Sequence, residues 1–231
     1  MHLMLPGLVA LGRWGQEPEA LATVEALGNC YTDLGMHGGT NFWLELEDYP
    51  GLLATYAVGL GATIGGRDQL LANLLTRVPQ HATRRDEDVP LAQAVCNRLG
   101  GYRELWNEVF YSASQKQTPV SLRLEDTFSE ALGGFVVLQQ SRERIFDRFE
   151  FVCGLHAYSQ PNEIFGARGP IGNVLWRNRR SPQWIGSVLI NEARAAGDEW
   201  DMFKVGLFGG SLLKFEEAHT GYLEQLWRVQ R

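Results

Sequence analysis

Residues 49–66 read YPGLLATYAVGLGATIGG, an uncharged run held between Asp48 and Arg67. A neutral stretch of this length has three physical readings: a membrane span, a glycine loop that cradles a phosphate, or a helix sunk in a protein core. Its glycines, threonines and proline make it mild in hydrophobicity for a span. Gly59, Gly61 and Gly65 have the spacing of a loosened dinucleotide-binding loop, whose glycines would let a pyrophosphate approach backbone amides at a helix start. No alternating sheet precedes it, however, and no strand ending in an acidic residue follows about 20 residues on. The run therefore reads as a buried central helix, with Gly59 and Gly61 as places where a neighbouring helix comes close.

The flanking sequence repeats the helical period. Residues 3–14 form a short apolar segment stopped by Gly15, and Glu17 and Pro18 restart the chain. Leu21, Val24, Leu27, Tyr31 and Leu34 then recur at helical spacing, so the first two helices suggest a hairpin. Phe42, Leu44 and Leu46 fit either a short strand or a lead-in to the central helix. Beyond that helix, Leu70, Leu71, Leu74, Leu75 and Val78 predict an amphipathic helix starting near Asp68. Residues 79–90, PQHATRRDEDVP, are polar and bracketed by prolines, which predicts an exposed loop and a candidate subdomain boundary.

Further helices are predicted over 91–99, over 102–110, and from Thr118 and Pro119 to Gly133. The run at 135–138 is apolar and too short to separate strand from buried helix. Residues 142–158 give a strong amphipathic pattern, with Ile145, Phe146, Phe149, Val152, Cys153 and His156 on one face and Glu143, Arg144, Asp147 and Arg148 largely opposite. Glycines and Pro170 break the pattern over 159–180, so any β-hairpin belongs near 165–180. Ser181 and Pro182 open a helix through Trp184 and Leu189 to Gly197, and residues 211–231 form a long last helix. The expected fold is all-α, a compact array of about nine or ten helices, with solenoid-like helix pairs as a variant, in one domain over 1–231.

Composition narrows function. The 231 residues are 45% hydrophobic with seven tryptophans, so the chain folds, and its net charge of -6 disfavours a nucleic-acid surface. Arg177, Arg179 and Arg180 form the best local basic patch. Cys30, Cys96 and Cys153 are odd in number and far apart, which reads as buried thiols of a cytoplasmic protein. The N-terminus has no basic segment ahead of its apolar run and shows no secretory signal.

Three constellations could carry chemistry. The turn at 206–211, GLFGGS, precedes the last helix, where amides of Gly209 and Gly210 could bind an anion and Ser211 could cap. It lacks the Lys-Ser/Thr ending of a phosphate loop and the nucleophile elbow. Cys153, His156 and Glu150 lie one turn apart on one helix; thiolate and imidazole are zinc ligands, but nothing has paired-ligand spacing, and core burial is the reading adopted. Asp126, Glu130, Asp147 and Glu150 cannot be paired across a cleft from sequence. No catalytic, metal or cofactor site is assigned.

The succession YPGLLATYAVGLGA, TPVSLRLED, FDRFEF, GPIGNVLWR and GLFGGSLLKF resembles the helical C-terminal segments that follow effector domains, such as SIR2-like domains, in large bacterial defence proteins. The resemblance implies a sensing, scaffolding or oligomerising module, with a protein partner or an effector domain in the same polypeptide. No catalytic motif of such effectors is present, so no site residue carries over. Eighteen arginines against three lysines fit a GC-rich bacterial source. The leading expectation is a non-catalytic interaction module; the alternative is a nucleotide-dependent enzyme or nucleotide-binding domain using segment 59–66 or 206–211.

Overall fold

The computed structural model describes residues 4–32, 41–78, 90–101, 119–160, 174 and 183–229. Ten α-helices and no strand occur among them: α1 (Leu5–Trp14), α2 (Glu17–Thr32), α3 (Asn41–Ile64), α4 (Asp68–Thr76), α5 (Leu91–Gly101), α6 (Pro119–Gly133), α7 (Gln139–Ser159), α8 (Ile185–Ala196), α9 (Asp201–Lys204) and α10 (Leu212–Val229). The all-α expectation holds. The polar loop at 79–89, the helix at 102–110 and, apart from the buried Val174, the hairpin expected near 165–180 lie outside the described residues.

Most of the neutral run is buried within α3. Leu52, Leu53, Tyr56, Val58 and Leu60 are closed to solvent, and each large apolar side chain so placed contributes about 1.5–3 kcal/mol. The helix starts earlier than Tyr49, at Asn41, so residues 42–47 are helical lead-in, and Pro50 lies inside it. Its end is a Schellman turn: the Arg67 amide donates to the Ala62 carbonyl at 2.9 Å and the Gly66 amide to that of Thr63 at 3.2 Å, with Gly66 at φ 62°. Gly66 supplies the left-handed residue that this turn needs. Arg67 then reaches back with Nη1, 2.8 Å from the Gly12 carbonyl, and ties the start of α4 to the end of α1.

Both N-terminal helices lie against α3. Close approach of α1 is made by glycine. A Cβ at Gly61 would stand 2.2 Å from the Val9 carbonyl oxygen, and one at Gly12 would stand 2.2 Å from that of Val58. Each helix thus offers a notch that the other fills with backbone. Gly59 serves a different neighbour, since a Cβ there would meet the Phe149 ring at 2.2 Å.

The second organising element is α7. Its period predicts one apolar face, but from Phe149 to Ala157 every residue is buried, and so is Asp147. The reason is that α7 is covered on several sides, by α3, α5, α6, α8 and α10. Phe146 and Phe149 meet Tyr56 of α3 at ring-centroid distances of 5.6 and 4.7 Å. Phe151 turns the other way, 5.4 Å from both Trp184 and Tyr222. A helix apolar all round is a core helix, whereas a one-sided stripe marks a surface one. One contiguous apolar cluster runs from Leu5 in α1 to Leu226 in α10.

The run at 135–138 is neither strand nor buried helix. It is the connection from α6 to α7, with Val137 87% and Leu138 69% exposed. The amides of Phe135 and Val136 both return to the Leu132 carbonyl, at 2.9 and 2.8 Å, so the chain turns over the end of α6 before it can descend into the core.

Candidate functional site

At the anion candidate ahead of α10, Gly206, Phe208, Gly209 and Gly210 all have positive φ, 84°, 54°, 70° and 72°, which folds 206–211 into a tight left-handed coil. Phe208 adopts this disfavoured conformation while buried between the rings of His156 and Phe215, at 5.7 and 5.0 Å. Packing holds the strain. The amides at the start of α10 already have partners: Leu212 N–H donates to Asp198 Oδ1 at 3.0 Å, and Lys214 N–H to Ser211 Oγ at 3.3 Å. Ser211 therefore caps α10, and the place where an external anion would sit against Leu212 holds the chain's own carboxylate. Arg177, Arg179 and Arg180 lie outside the described residues.

In segment 59–66, Gly59 and Gly61 are interior to α3 and covered by Phe149 and by the Val9 carbonyl, while Gly65 and Gly66 close the helix. Their amides are turned into the helical ladder or its cap. A pyrophosphate has no approach to them.

The four carboxylates that sequence could not pair fall in two places. Asp126 and Glu130 are exposed on α6; Asp147 and Glu150 are buried on α7. Cys153 and His156 are buried as well, but they serve different neighbours, His156 lying against Phe208. Among the described residues no group of three His, Cys, Asp or Glu side chains could hold a metal ion. Cys96 and Cys153 are free thiols, both pushed up in pKa by burial.

What the structure assembles instead is a polar centre around Glu150 whose partners sequence did not indicate. Glu150 Oε1 accepts from the Tyr56 hydroxyl at 3.0 Å and Oε2 from the Ser121 hydroxyl at 2.9 Å, which links α3, α6 and α7. The Glu150 side chain is wholly buried. Burial pushes its pKa up to about 8; the bonds from Ser121 and Tyr56 pull the other way, and the acids Asp147 and Glu125 add to the rise. At neutral pH burial therefore favours the neutral acid over the carboxylate. Closed to solvent and walled by Phe146, Phe149 and Tyr56, it can hold a proton but cannot reach a substrate.

The surface has two further features. A groove of about 1120 Å³ runs between α7 and α8, and along it Arg148 bridges Glu192 at 2.6 Å and Asp68 at 3.2 Å. Trp200 Nε1 also donates to Asp68, at 3.2 Å, so Asp68 and Glu192 both have partners within the chain. The second is apolar. Trp14, 64% exposed at the end of α1, meets the half-buried Phe135 ring at 5.6 Å beside Val137 and Leu138, and the Arg13 guanidinium covers it at 4.6 Å. Among the described residues no helix is long and apolar enough to cross a membrane.

No family model, no curated protein and no solved structure matches this chain.

Proposed function

We propose that the chain is a non-catalytic helical interaction module of a bacterial cytoplasmic protein, acting by sensing, scaffolding or oligomerisation in the manner of the segments that follow defence effector domains. The observation that carries this reading is the exposed Trp14, Val137 and Leu138 around the half-buried Phe135, whose ring meets Trp14. Contiguous apolar groups left in water on a folded surface mark a place where another protein covers them. Tryptophan held by a neighbouring ring and an arginine is also the kind of anchor that dominates protein interfaces.

The nucleotide alternative draws no support from either glycine segment, since one is helix interior and the other is closed by Asp198 and Ser211. Light scattering after size exclusion tests the interaction reading, with the chain alone and mixed with candidate effector domains. Self-association or complex formation that is lost in Trp14→Glu and in Val137→Glu supports it. A monomer that binds nothing counts against it, and a thermal shift with any nucleotide would reinstate the alternative.

A further inference from the structure

Glu150 is the one acidic side chain among the described residues that is fully enclosed, and its partners are hydroxyls. The titratable groups facing it are Tyr56 from α3, Cys96 from α5, Glu125 from α6, and Asp147 and Cys153 from its own helix. Two of these are acids and the others are neutral near pH 7; among the described residues facing it none is a cation. An ionised carboxylate in this place would be desolvated with no opposite charge to offset it. The closed core accordingly favours the acid form.

We propose that this cluster is a proton lock: closing α7 onto α3 and α6 requires a protonated Glu150, and each opening of α7 releases that proton to solvent. The balance is one carboxylic acid in the closed form against one carboxylate and one solvated proton in the open form. No other reactant is needed. Opening therefore becomes about tenfold more frequent for each pH unit between the ordinary carboxyl range and the point at which the closed form itself ionises. The lock goes beyond the interaction-module reading and operates whatever the partner. His156 and His219, buried and held below their usual range, also couple opening to protons, but with the opposite sign and on the acid side of neutrality.

Amide hydrogen exchange of the whole chain, read by mass spectrometry on peptides covering residues 149–155, tests the lock between pH 6.5 and 8. Intrinsic exchange is first order in hydroxide and is divided out. The opening constant of the wild type is expected to rise about tenfold per pH unit relative to that of Glu150→Gln, in which the histidine contribution is the same. Parallel profiles for the two proteins would overturn the proposal. Ser121→Ala gives a second reading that does not depend on the folding of Glu150→Gln. Losing a hydrogen bond to the carboxylate raises its pKa, so opening should go on rising above pH 8 where the wild type levels off. Levelling at the same pH or lower would overturn the proposal as well.

Discussion

The Tyr56 hydroxyl lies 3.0 Å from Glu150 Oε1 and joins α3 to α7 across 94 positions of sequence. Burial of the carboxyl, which this bond only partly offsets, sets how stability responds to pH. Burial lifts Glu150 from an ordinary 4.5 to about 8, so folded and unfolded chains hold the same number of protons on this group below about pH 4.5. Above that the unfolded chain gives up its proton first, and stability falls by about 1.4 kcal/mol per pH unit until the folded carboxyl ionises. Urea denaturation at pH 5, 6.5 and 8 should show Glu150→Gln more stable than wild type by a margin that widens over this range. A constant margin would mean that the carboxyl is ionised throughout.

His156 gives the opposite limb. Burial lowers its pKa from 6.5 to about 4, so its contribution is complete above pH 6.5 and is lost as pH falls from there toward 4. The two groups lie on one helix and oppose each other between about pH 4.5 and 6.5, where their slopes cancel. Thermal melts of His156→Gln should retain stability better than wild type on going from pH 6.5 to 4.5. An unchanged acid limb would assign acid unfolding to other groups.

Substitutions at three glycines should separate packing from propensity. Gly61→Ala and Gly12→Ala each drive a Cβ into a carbonyl and should cost about 1–3 kcal/mol or more, with Gly61→Leu worse. Gly7→Ala meets nothing within 4 Å and lies in the same helix as Gly12, so it should stabilise by roughly 0.4–1 kcal/mol. Chemical denaturation of the set decides it; equal effects at Gly7 and Gly12 would show that α1 is not in close contact with α3.

Asp198 makes a further test. Asp198→Ala removes the acceptor for the Leu212 amide and should cost about 0.5–2 kcal/mol. It also vacates the only anion position identified at the start of α10 among the described residues. Sulfate or phosphate should then raise the melting temperature of Asp198→Ala more than that of wild type at matched ionic strength. Equal shifts would show that the amides do not attract an external anion.

Much of this architecture is legible in the residues, and the limits have physical causes. An uncharged run at 49–66 has few places to go outside a core or a membrane, so α3 is read directly from it. The glycine pair within it could be assigned to packing because no sheet surrounds it. Residues 135–138 misled because four apolar residues carry no period; only the turn over Leu132 shows that they stay outside. In α7 the period located the helix but not its depth. A signal was there: Glu150 stands between Phe149 and Phe151, at the head of the all-round apolar segment VCGLHA, where a carboxylate must find hydroxyls or a cation. That Tyr56 and Ser121 meet it is a non-local fact that no local pattern encodes. The cap on α10 was half legible, Ser211 from its position and Asp198 only from the fold.

The reciprocal notches of Gly12 and Gly61 have a consequence for the surface. A helix packed through side chains can creep along its neighbour, but α1 is keyed at two points by backbone oxygens. Shifting it by one residue, a rise of about 1.5 Å with a turn of about 100°, would bring Leu11 or Arg13 to the Val58 carbonyl in place of Gly12. Both glycines oppose such a shift, because a Cβ at either position would meet a carbonyl oxygen at 2.2 Å. Trp14 follows Gly12 by two positions, and the exposed apolar cluster is thereby a composite of α1 and the α6–α7 connection. It is whole while the key is in place and ceases to exist when the key is withdrawn.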